Sequence, residues 1–473
     1  MGSWTIRMIG SLAALLFAGE LLASEGERMP LLGRMTGMLD PAPAATTAAL
    51  ARPEPVILFR GVRVFDGRSD ALTGRRDVLV RDGVIEEISE GAIEPDGPDG
   101  GVLVIEGGDR VLMPGLIDAH WHSMIAATPM LVLMSEDEGY MHLAAAHEAG
   151  RTLMRGFTTV RDAGGPAFAL KRAIDEGLAV GPRIFPSGAM VSQTGGHGDF
   201  RMRHEVPRSG GPTYTERIGM AMIADSPDEV RRAVREQLML GASQIKLMAG
   251  GGVSSIYDPL DVTQYTVPEL RAAVEAAENW GTYVSVHAYT VRSVRQAIEA
   301  GVRCIEHGQL LDEETVRMMA EKNVWWSLQP FLDDEDANPK TGEQRLKQIE
   351  VSKGTDAAYE LARKYGVRTA FGTDVMFSSA GAAAQGRKLA KLERWYRPVE
   401  VLRMATADNA ELLALSGERN PYPGKLGVVE EGALADLILV DGDPLSDLSL
   451  IADPEANFVV IMKGGVVYKH ALD

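Results

Sequence analysis

Short apolar runs and longer amphipathic stretches alternate through the middle of the chain. Runs of about four to eight apolar or β-branched residues bounded by turn residues are typical of buried strands. Eight such runs occur between residues 113 and 418: LIDAHWH, TTVRDAGG, PRIFPSGA, SQIKLMAGGG, TYVSVHAYT, CIEHGQL, VWWSLQP and VRTAFGTD. The stretches between them are mostly helical in composition. In SEDEGYMHLAAAHEAGRTLMRG, for example, Ser135 and Glu138 have the spacing of a capping box. Eight strands that alternate with helices predict a (β/α)8 barrel, the TIM barrel.

The two ends of the chain have a different pattern. Residues 55–112 and 419–473 alternate short β-branched runs with Gly and Asp turns, which is typical of small antiparallel sheets. We therefore predict an α/β fold in which the barrel, 113–418, carries a small β-sandwich domain built from both ends. A doubly wound open sheet is the alternative, but no glycine fingerprint for a dinucleotide follows an early strand.

The N-terminal segment lies outside both patterns. Residues 1–24 combine a basic Arg7, an apolar stretch that ends at Leu22 and small residues after it, the layout of a secretory signal peptide. Residues 25–54 are rich in Ala, Pro and Thr without a sustained period, which predicts a linker or arm. The expected location is periplasmic or secreted. The alternative is a cytoplasmic protein with an unstructured leader.

Composition and charge narrow the classes of partner. With 66 acidic and 48 basic residues the formal charge is -18, which opposes binding to nucleic acid and to anionic membranes. The apolar stretch near the N-terminus is too short and interrupted for a good membrane span. The single cysteine, Cys304, excludes an internal disulfide. The expected partners are therefore small molecules.

Polar residues with metal-binding chemistry fall at the predicted strand ends, where barrels of this kind place their active sites. Four of the nine histidines are among them. His120 and His122, two apart on one strand, project to the same face; alone, the pair fits either a metal site or polar residues where a strand ends. Together, nitrogen and oxygen donors from several strands indicate a zinc-type site. The set is His120, His122, Lys246, His287, His307 and Asp374.

Lys246 is the unexpected member of this set, because a metal ion repels an ammonium group. Burial beside cations would lower the pKa of this lysine. The neutral amine could then take up carbon dioxide to form a carbamate, an anionic ligand able to bridge two ions. The alternative is a lysine at the edge of the core that reaches solvent or pairs with an acid. The residues alone leave both interpretations open.

The motif order resembles that of a known family. VLMPGLIDAHWH, SQIKLMAGG, VSVHAY, CIEHG, AFGTD and GKLGVVEEGALADLILVDGDPL are similar, from about Pro55 to the C-terminus, to the amidohydrolase superfamily. The similarity is specific to its imidazolonepropionase- and Xaa-Pro-dipeptidase-like branch, which includes ochratoxin-degrading amidohydrolases. The resemblance implies two Zn²⁺ ions per chain, bridged by carboxylated Lys246. It assigns His120, His122 and Asp374 to the more buried ion and His287 and His307 to the other.

The same resemblance implies a reaction. Two zinc ions would supply a bridging hydroxide near neutral pH for attack on the amide of a dipeptide or an N-acyl amino acid, with ochratoxin A as a further candidate. Asp374 would move the proton, and the catalytic set is Asp374, His287 and Lys246. Two alternatives stay open. One is a mononuclear zinc deaminase or cyclic-amide hydrolase of the imidazolonepropionase type, which would not need Lys246. The other is an inactive scaffold of the same fold. A homo-oligomer is also expected.

Three further residues are candidates for substrate binding. His197 lies in the glycine-rich loop SQTGGHGD and could steer a carbonyl or a carboxylate, or only order its own loop. Arg161, at the second strand end, could bind a substrate carboxylate or pair with an acid nearby. Tyr289, two residues after His287, could donate to an oxyanion or line the pocket. The acidic run at 332–339 lacks the spacing of a calcium loop and is expected to be solvated.

Overall fold

The structure is a computed structural model that describes residues 56–95, 101–207 and 211–472. The predicted signal peptide, 1–24, and the predicted arm, 25–54, lie outside the described residues. Within the described residues, no helix combines the length and apolar character that a bilayer span requires.

The strands are β1 (Val56–Val64), β2 (Arg75–Arg81), β3 (Val84–Ser89), β4 (Val102–Glu106), β5 (Val111–Pro114), β6 (Leu116–Trp121), β7 (Phe157–Asp162), β8 (Arg183–Pro186), β9 (Met190–Ser192), β10 (Ala221–Ile223), β11 (Ile245–Met248), β12 (Val284–Thr290), β13 (Cys304–Leu310), β14 (Trp325–Leu328), β15 (Thr369–Phe371), β16 (Leu437–Val440), β17 (Phe458–Lys463) and β18 (Val466–His470).

The helices are α1 (Met130–Ser135), α2 (Glu138–Met154), α3 (Phe168–Asp175), α4 (Tyr214–Arg217), α5 (Pro227–Leu240), α6 (Val267–Glu278), α7 (Val291–Ala300), α8 (Glu313–Glu321), α9 (Gly342–Tyr365), α10 (Ser379–Ala383), α11 (Gln385–Ala390), α12 (Pro398–Arg403), α13 (Asn409–Leu413), α14 (Ser449–Ala452) and α15 (Pro454–Asn457).

Strands from both ends of the chain pair in one eight-stranded sheet. Its order is β18-β17-β16-β5-β1-β2-β3, and β4 pairs with β1. The two ends meet where β5 and β16 pair antiparallel, with Met113 opposite Ile438. Apolar residues from both ends, among them Phe59, Val78 and Leu437, share one buried cluster beside this sheet. The domain boundaries drawn from the sequence and the sandwich packing stay predictions.

The middle of the chain forms parallel strands in two groups. One is β6-β7-β8, and the other is β10-β9-β11-β12-β13-β14-β15. The eight runs identified in the sequence correspond, in chain order, to β6, β7, β8, β11, β12, β13, β14 and β15, and β7 begins one residue before its run. The strand ladders do not run as one closed ring in the described residues. Backbone hydrogen bonds nevertheless join the groups at both seams: Ser243 N donates to Pro186 O, and Asp374 N donates to His120 O, each at 2.8 Å.

Helix α5 illustrates how the sequence sets the repeating unit. The Ser226 side chain caps its first turn, a proline occupies that turn, and Gly241 ends the helix in the left-handed region at φ 104°. A residue with a Cβ is strained at that φ, so glycine lets the chain turn back toward β11. The buried face of the helix, including Val234 and Leu238, packs in the same cluster as Leu247 of β11.

The first helical stretch differs from its prediction. The segment expected to be one helix begins inside α1 and continues as α2. Ser135 is the last residue of α1, and its hydroxyl donates to Leu131 O, so it does not cap α2. Asp137 caps α2 instead, accepting from Gly139 N at 2.8 Å. The capping-box spacing was therefore misassigned, because a second capping residue stood two positions further on.

Candidate metal centre

The strand ends bring the six predicted ligands together in the interior. His120 and His122 lie at the end of β6, Lys246 on β11, His287 on β12 and His307 on β13. Asp374 follows β15 by three residues. The five basic side chains are buried, and that of Asp374 is 10% exposed. Residues far apart in sequence thus share one enclosed polar cluster.

Asp374 is at the centre of the contacts. Its Oδ1 lies 3.3 Å from His120 Nε2 and 3.1 Å from His122 Nε2. The ring centroids of His120 and His307 are 4.9 Å apart, and those of His287 and His307 are 4.5 Å apart. Ligand atoms of His120, His307 and Asp374 lie within 4.8 Å of one another, close enough to hold one metal ion. A His, His and carboxylate set suits a transition metal such as zinc.

The ring nitrogens of the two β6 histidines that face away from this cluster have protein partners. His120 Nδ1 lies 2.8 Å from Glu306 Oε2, and His122 Nδ1 lies 3.1 Å from Gly164 O. Each partner is an acceptor, so it fixes the N–H at Nδ1 and leaves the lone pair at Nε2. Metal-binding histidines are typically held in this way by a carboxylate or a carbonyl.

The other two histidines are held similarly. His307 Nδ1 lies 2.7 Å from Gln329 Oε1, which directs Nε2 into the cluster. His287 uses the opposite nitrogen, since its Nε2 lies 3.1 Å from Gly251 O. Each of the four histidines therefore has one ring nitrogen left as an acceptor, as a metal ligand must.

The charge states of the cluster fit a metal ion. Burial, reinforced by neighbouring basic groups, holds the pKa of His287 and His307 well below the usual value, so both rings are neutral ligands. Burial would raise the pKa of Asp374, but His120 and His122 outweigh it and hold this pKa well below the usual range. Asp374 is therefore an anionic ligand at neutral pH.

Lys246 has neither of the partners that the alternative interpretation required. The side chain is 1% exposed, so it does not reach solvent. Its Nζ lies 3.5 Å from His120 Nε2, and no carboxylate of the described residues lies within ion-pair distance of it. Burial lowers the pKa of Lys246. The charges of Glu306 and Asp374 oppose this effect of burial.

Two ligand positions have a strained backbone. His307 has φ 75° and Asp374 has φ 51°, both in the left-handed region that residues with a Cβ rarely adopt. Such strain persists where surrounding contacts enforce it, and it is common at functional sites. At His307 the contacts are Gln329 on the ring and Trp326 Nε1, which donates to the His307 carbonyl at 2.6 Å.

Arg161 lies in the interior, where it pairs with an acid. It is 1% exposed, and its NH2 group donates to Glu306 Oε1 at 2.7 Å. The other two guanidinium nitrogens donate to Ala119 O and Tyr283 Oη. All three nitrogens thus bind protein atoms in the interior, which is the arrangement of the alternative, an ion pair with an acid nearby; the substrate role stays a prediction.

Glu306 contacts a candidate ligand and was not among the residues expected at the site. Burial would raise its pKa, but the charge of Arg161 and the contact with His120 hold this pKa well below the usual range. Arg161, Glu306 and His120 therefore form a continuous hydrogen-bonded chain that ends at a candidate ligand. A glutamate inside a predicted buried strand was the available signal, since buried acids are rare unless paired.

His197 lies against the candidate ligands. Its ring stacks on that of His287, with centroids 3.9 Å apart. Its Nδ1 lies 2.7 Å from Ser255 Oγ and 3.5 Å from Asp258 Oδ2. A Cβ on Gly252 would fall 2.0 Å from the His197 ring, so only glycine fits there. The loop thus fixes His197 beside the cluster.

Tyr289 borders the same cluster from β12. Its ring is edge-on to His287, with centroids 5.0 Å apart, and stacked with His307 at 5.1 Å. Burial, with the nearby charge of Asp374, raises the pKa of Tyr289 well above its usual value. The phenol is therefore a neutral hydrogen-bond donor.

Parallel strands with histidines, a lysine and an aspartate at their ends are typical of metal-dependent hydrolases with a barrel fold. The match to the amidohydrolase family over residues 111–469 gives the family, and the chain belongs to it. It is accordingly a hydrolase that acts on amide bonds.

Individual relatives agree with this assignment. The chain is 34% identical over 384 residues to ochratoxinase of Aspergillus niger, which covers 76% of each chain. It resembles a crystal structure of an amidohydrolase with 35% identity and a TM-score of 0.81, over 88% of this chain and all of the other. A prolidase in complex with N-methylphosphonate-L-proline has 33% identity and a TM-score of 0.79, with the same coverage. Neighbours of this fold imply a TIM barrel for the parallel strands.

Proposed function

We propose that the protein is a dinuclear zinc amidohydrolase that cleaves the amide bond of dipeptides or N-acyl amino acids, with ochratoxin A as a candidate substrate. The substrate class is supported by the similarity to ochratoxinase at 34% identity and to a prolidase at 33% identity. In this proposal the parallel strands close as a barrel, and the sheet formed by both chain ends is a sandwich domain.

The arrangement of Lys246 is the observation that carries the dinuclear proposal. His120, His122 and Asp374 would hold one ion, and His287 and His307 the other. The buried amine of Lys246, without an acid partner, would lie between them as a carbamate. This modification converts an unfavourable buried cation into an anionic ligand, which accounts for a lysine in a cluster of metal-binding residues.

The residues of the chain would divide the chemistry among them. Zinc, when bound, lowers the pKa of a coordinated water and polarises a carbonyl oxygen. The Asp374 carboxylate, anionic at neutral pH, would accept the proton of the attacking water and pass it to the nitrogen of the departing amine. Tyr289 would donate from its neutral phenol to the developing oxyanion, and His197 would orient the substrate carbonyl or carboxylate.

Metal counting separates this proposal from the mononuclear alternative, which the set of His120, His307 and Asp374 would favour. Protein loaded with zinc and bicarbonate should contain two zinc ions per chain by mass spectrometry of the metal. Lys246→Ala should lose at least one of them. One ion in both proteins would support the deaminase or cyclic-amide hydrolase instead.

The substrate test is a screen of Xaa-Pro and other dipeptides, N-acyl amino acids and ochratoxin A, with free amino acid measured. Release from at least one class is expected. No release from any of them, by protein that holds two zinc ions, would overturn the amide substrate proposal and favour the inactive scaffold.

We also propose that the protein is exported, acts on small molecules without nucleic acid or membrane partners, and forms a homo-oligomer. The N-terminal sequence pattern and the net charge of -18 support the first two statements. N-terminal sequencing of protein recovered from cell fractions tests export and cleavage near residue 24. Light scattering after size exclusion tests the oligomer.

A further inference from the structure

The loop between β14 and α9 borders the candidate metal centre. The ring of Phe331 stacks against that of His307, with centroids 5.9 Å apart. Further along, Asn338 Nδ2 lies 3.4 Å from the backbone oxygen of Met376, two residues after Asp374. The loop therefore contacts the surroundings of two candidate ligands, on β13 and after β15.

The three aspartates of this loop are paired with cations. Asp333 binds Arg345 at 2.7 Å, Asp334 binds Lys391 at 2.6 Å, and Asp336 binds the same lysine at 2.8 Å. Asp336 is buried. Most of the run at 332–339 is exposed or half-buried, as expected of a solvated loop, and Asp336 is its buried residue.

Lys340, near the end of this loop, differs from the aspartates because its charged group has no partner among the described residues. Its backbone N–H donates to Gln348 Oε1 at 3.0 Å, which fixes its position. Its side chain is half-buried, and no hydrogen bond or ion pair with the described residues engages its ammonium group. Burial lowers the pKa of Lys340, and the only charge that counteracts this effect is that of Asp374. Burying part of a charge without a partner costs free energy, which a bound anion would offset.

Two other basic residues near the site already have partners. Arg161 is paired with Glu306, and Lys347 Nζ donates to Asp258 O at 2.7 Å. Asp374 cannot serve as a partner for Lys340 in the proposed enzyme, because its carboxylate would hold the metal ion. An anion brought by the ligand is then the partner that the site lacks.

We propose that Lys340 recognises a carboxylate of the substrate and makes the enzyme selective for anionic substrates. The inference rests on the proposed function, because the ligand is a substrate only if that function is correct. It adds the charge of the group that the enzyme recognises. Two sources would supply this carboxylate, the C-terminal carboxylate of a dipeptide and an acidic side chain. A charge-assisted hydrogen bond of this kind is expected to change affinity about tenfold to a hundredfold.

Calorimetry with zinc-loaded protein tests recognition without needing turnover. L-Glutamate and L-glutamine differ in side-chain charge, whereas L-proline and L-prolinamide differ in the carboxylate on the α-carbon. Lys340→Met should weaken binding of at least one anionic member by tenfold or more and leave its neutral counterpart unchanged. The pair that responds identifies the source of the carboxylate. Lys340→Arg should retain the discrimination, and Lys353→Met, an exposed lysine on α9, is the matched control.

The kinetic test uses Ala-Glu against Ala-Gln and Ala-Pro against Ala-Pro amide, all read as alanine release. Lys340→Met should raise KM for the anionic member and change kcat little. Equal effects on both members of both pairs, or no effect on any, would overturn the inference. If the protein binds the anionic ligands more tightly than the neutral ones but releases no alanine, Lys340 is still a site that binds anions. That result would count against the proposed reaction.

Discussion

Replacing Glu306 by Gln changes one charge beneath the candidate metal centre while keeping the shape of the side chain. In the native protein the two carboxylate oxygens are divided between Arg161 at 2.7 Å and His120 at 2.8 Å. The amide of Gln has one acceptor oxygen, so it can satisfy only one of these donors. Its NH₂ group would face the other donor, and the Arg161 charge would be left buried without a counter-charge.

The expected magnitude follows from this geometry. Removing one partner of a buried ion pair typically costs about 3 to 5 kcal/mol of folding free energy, against a total stability of about 5 to 15 kcal/mol for a typical domain. Loss of the hydrogen bond that orients His120 should also reduce metal affinity roughly tenfold to a hundredfold. Glu306→Gln should therefore lower both the free energy of unfolding of the apo protein and its affinity for zinc.

Urea unfolding of the apo protein measures the first effect separately from the second, because bound metal would add its own stabilisation. Competition with a chelating dye measures zinc affinity. Glu90→Gln is the control, since Glu90 forms an exposed ion pair with Arg76 and should have no measurable effect. The double variant Arg161→Met/Glu306→Gln removes both charges and should be more stable than Glu306→Gln alone. Unchanged unfolding and zinc affinity in Glu306→Gln, or no recovery in the double variant, would refute the reasoning.

Three further predictions test other parts of the molecule. Asp374→Asn should keep most of the bound metal, measured by mass spectrometry, while turnover falls by two or more orders of magnitude if this carboxylate moves the proton; near-normal kcat would remove that role. Burial lowers the pKa of Lys463 to about 8, against roughly 10.4 in the unfolded chain. Burial of the charged amine therefore destabilises the folded protein fully below about pH 8, and this destabilisation disappears as the pH rises to about 10. Lys463→Met should therefore unfold at a higher temperature than wild type near pH 8, and this difference in Tm should shrink as the pH rises to about 10. A difference in Tm that does not change with pH would contradict the lowered pKa of Lys463. Gly252→Ala places a Cβ against the ring of His197, so kcat/KM should fall by at least tenfold while zinc content stays the same; normal kinetics would show that the position of this ring is unimportant.

The sequence predicted the parts of the site that depend on local pattern. A strand end is recognisable from a short apolar run, so the positions of His120, Lys246 and Asp374 could be read directly. Glu306 could not be placed in the same way, because in a regular strand it points to the face opposite His307. The left-handed φ of His307 breaks that alternation, and both residues reach the same cluster. A backbone irregularity of this kind is enforced by tertiary contacts and leaves little trace in the local pattern.

Hydrogen bonds between the segments of β6 and β15 keep the candidate ligands in place, although no strand ladder joins these two strands. Asp118 accepts hydrogen bonds from His120 N at 3.0 Å and from Thr373 Oγ1 at 2.7 Å, so one carboxylate ties both strands beside their ligands. Asp374 N, in turn, donates to the backbone oxygen of His120. A metal ion held by His120 and Asp374 would cross this same seam and add a third link. Because the binding free energy of such an ion stabilises only the assembled state, loss of metal should loosen the junction of β6 with β15 before the helices that surround it.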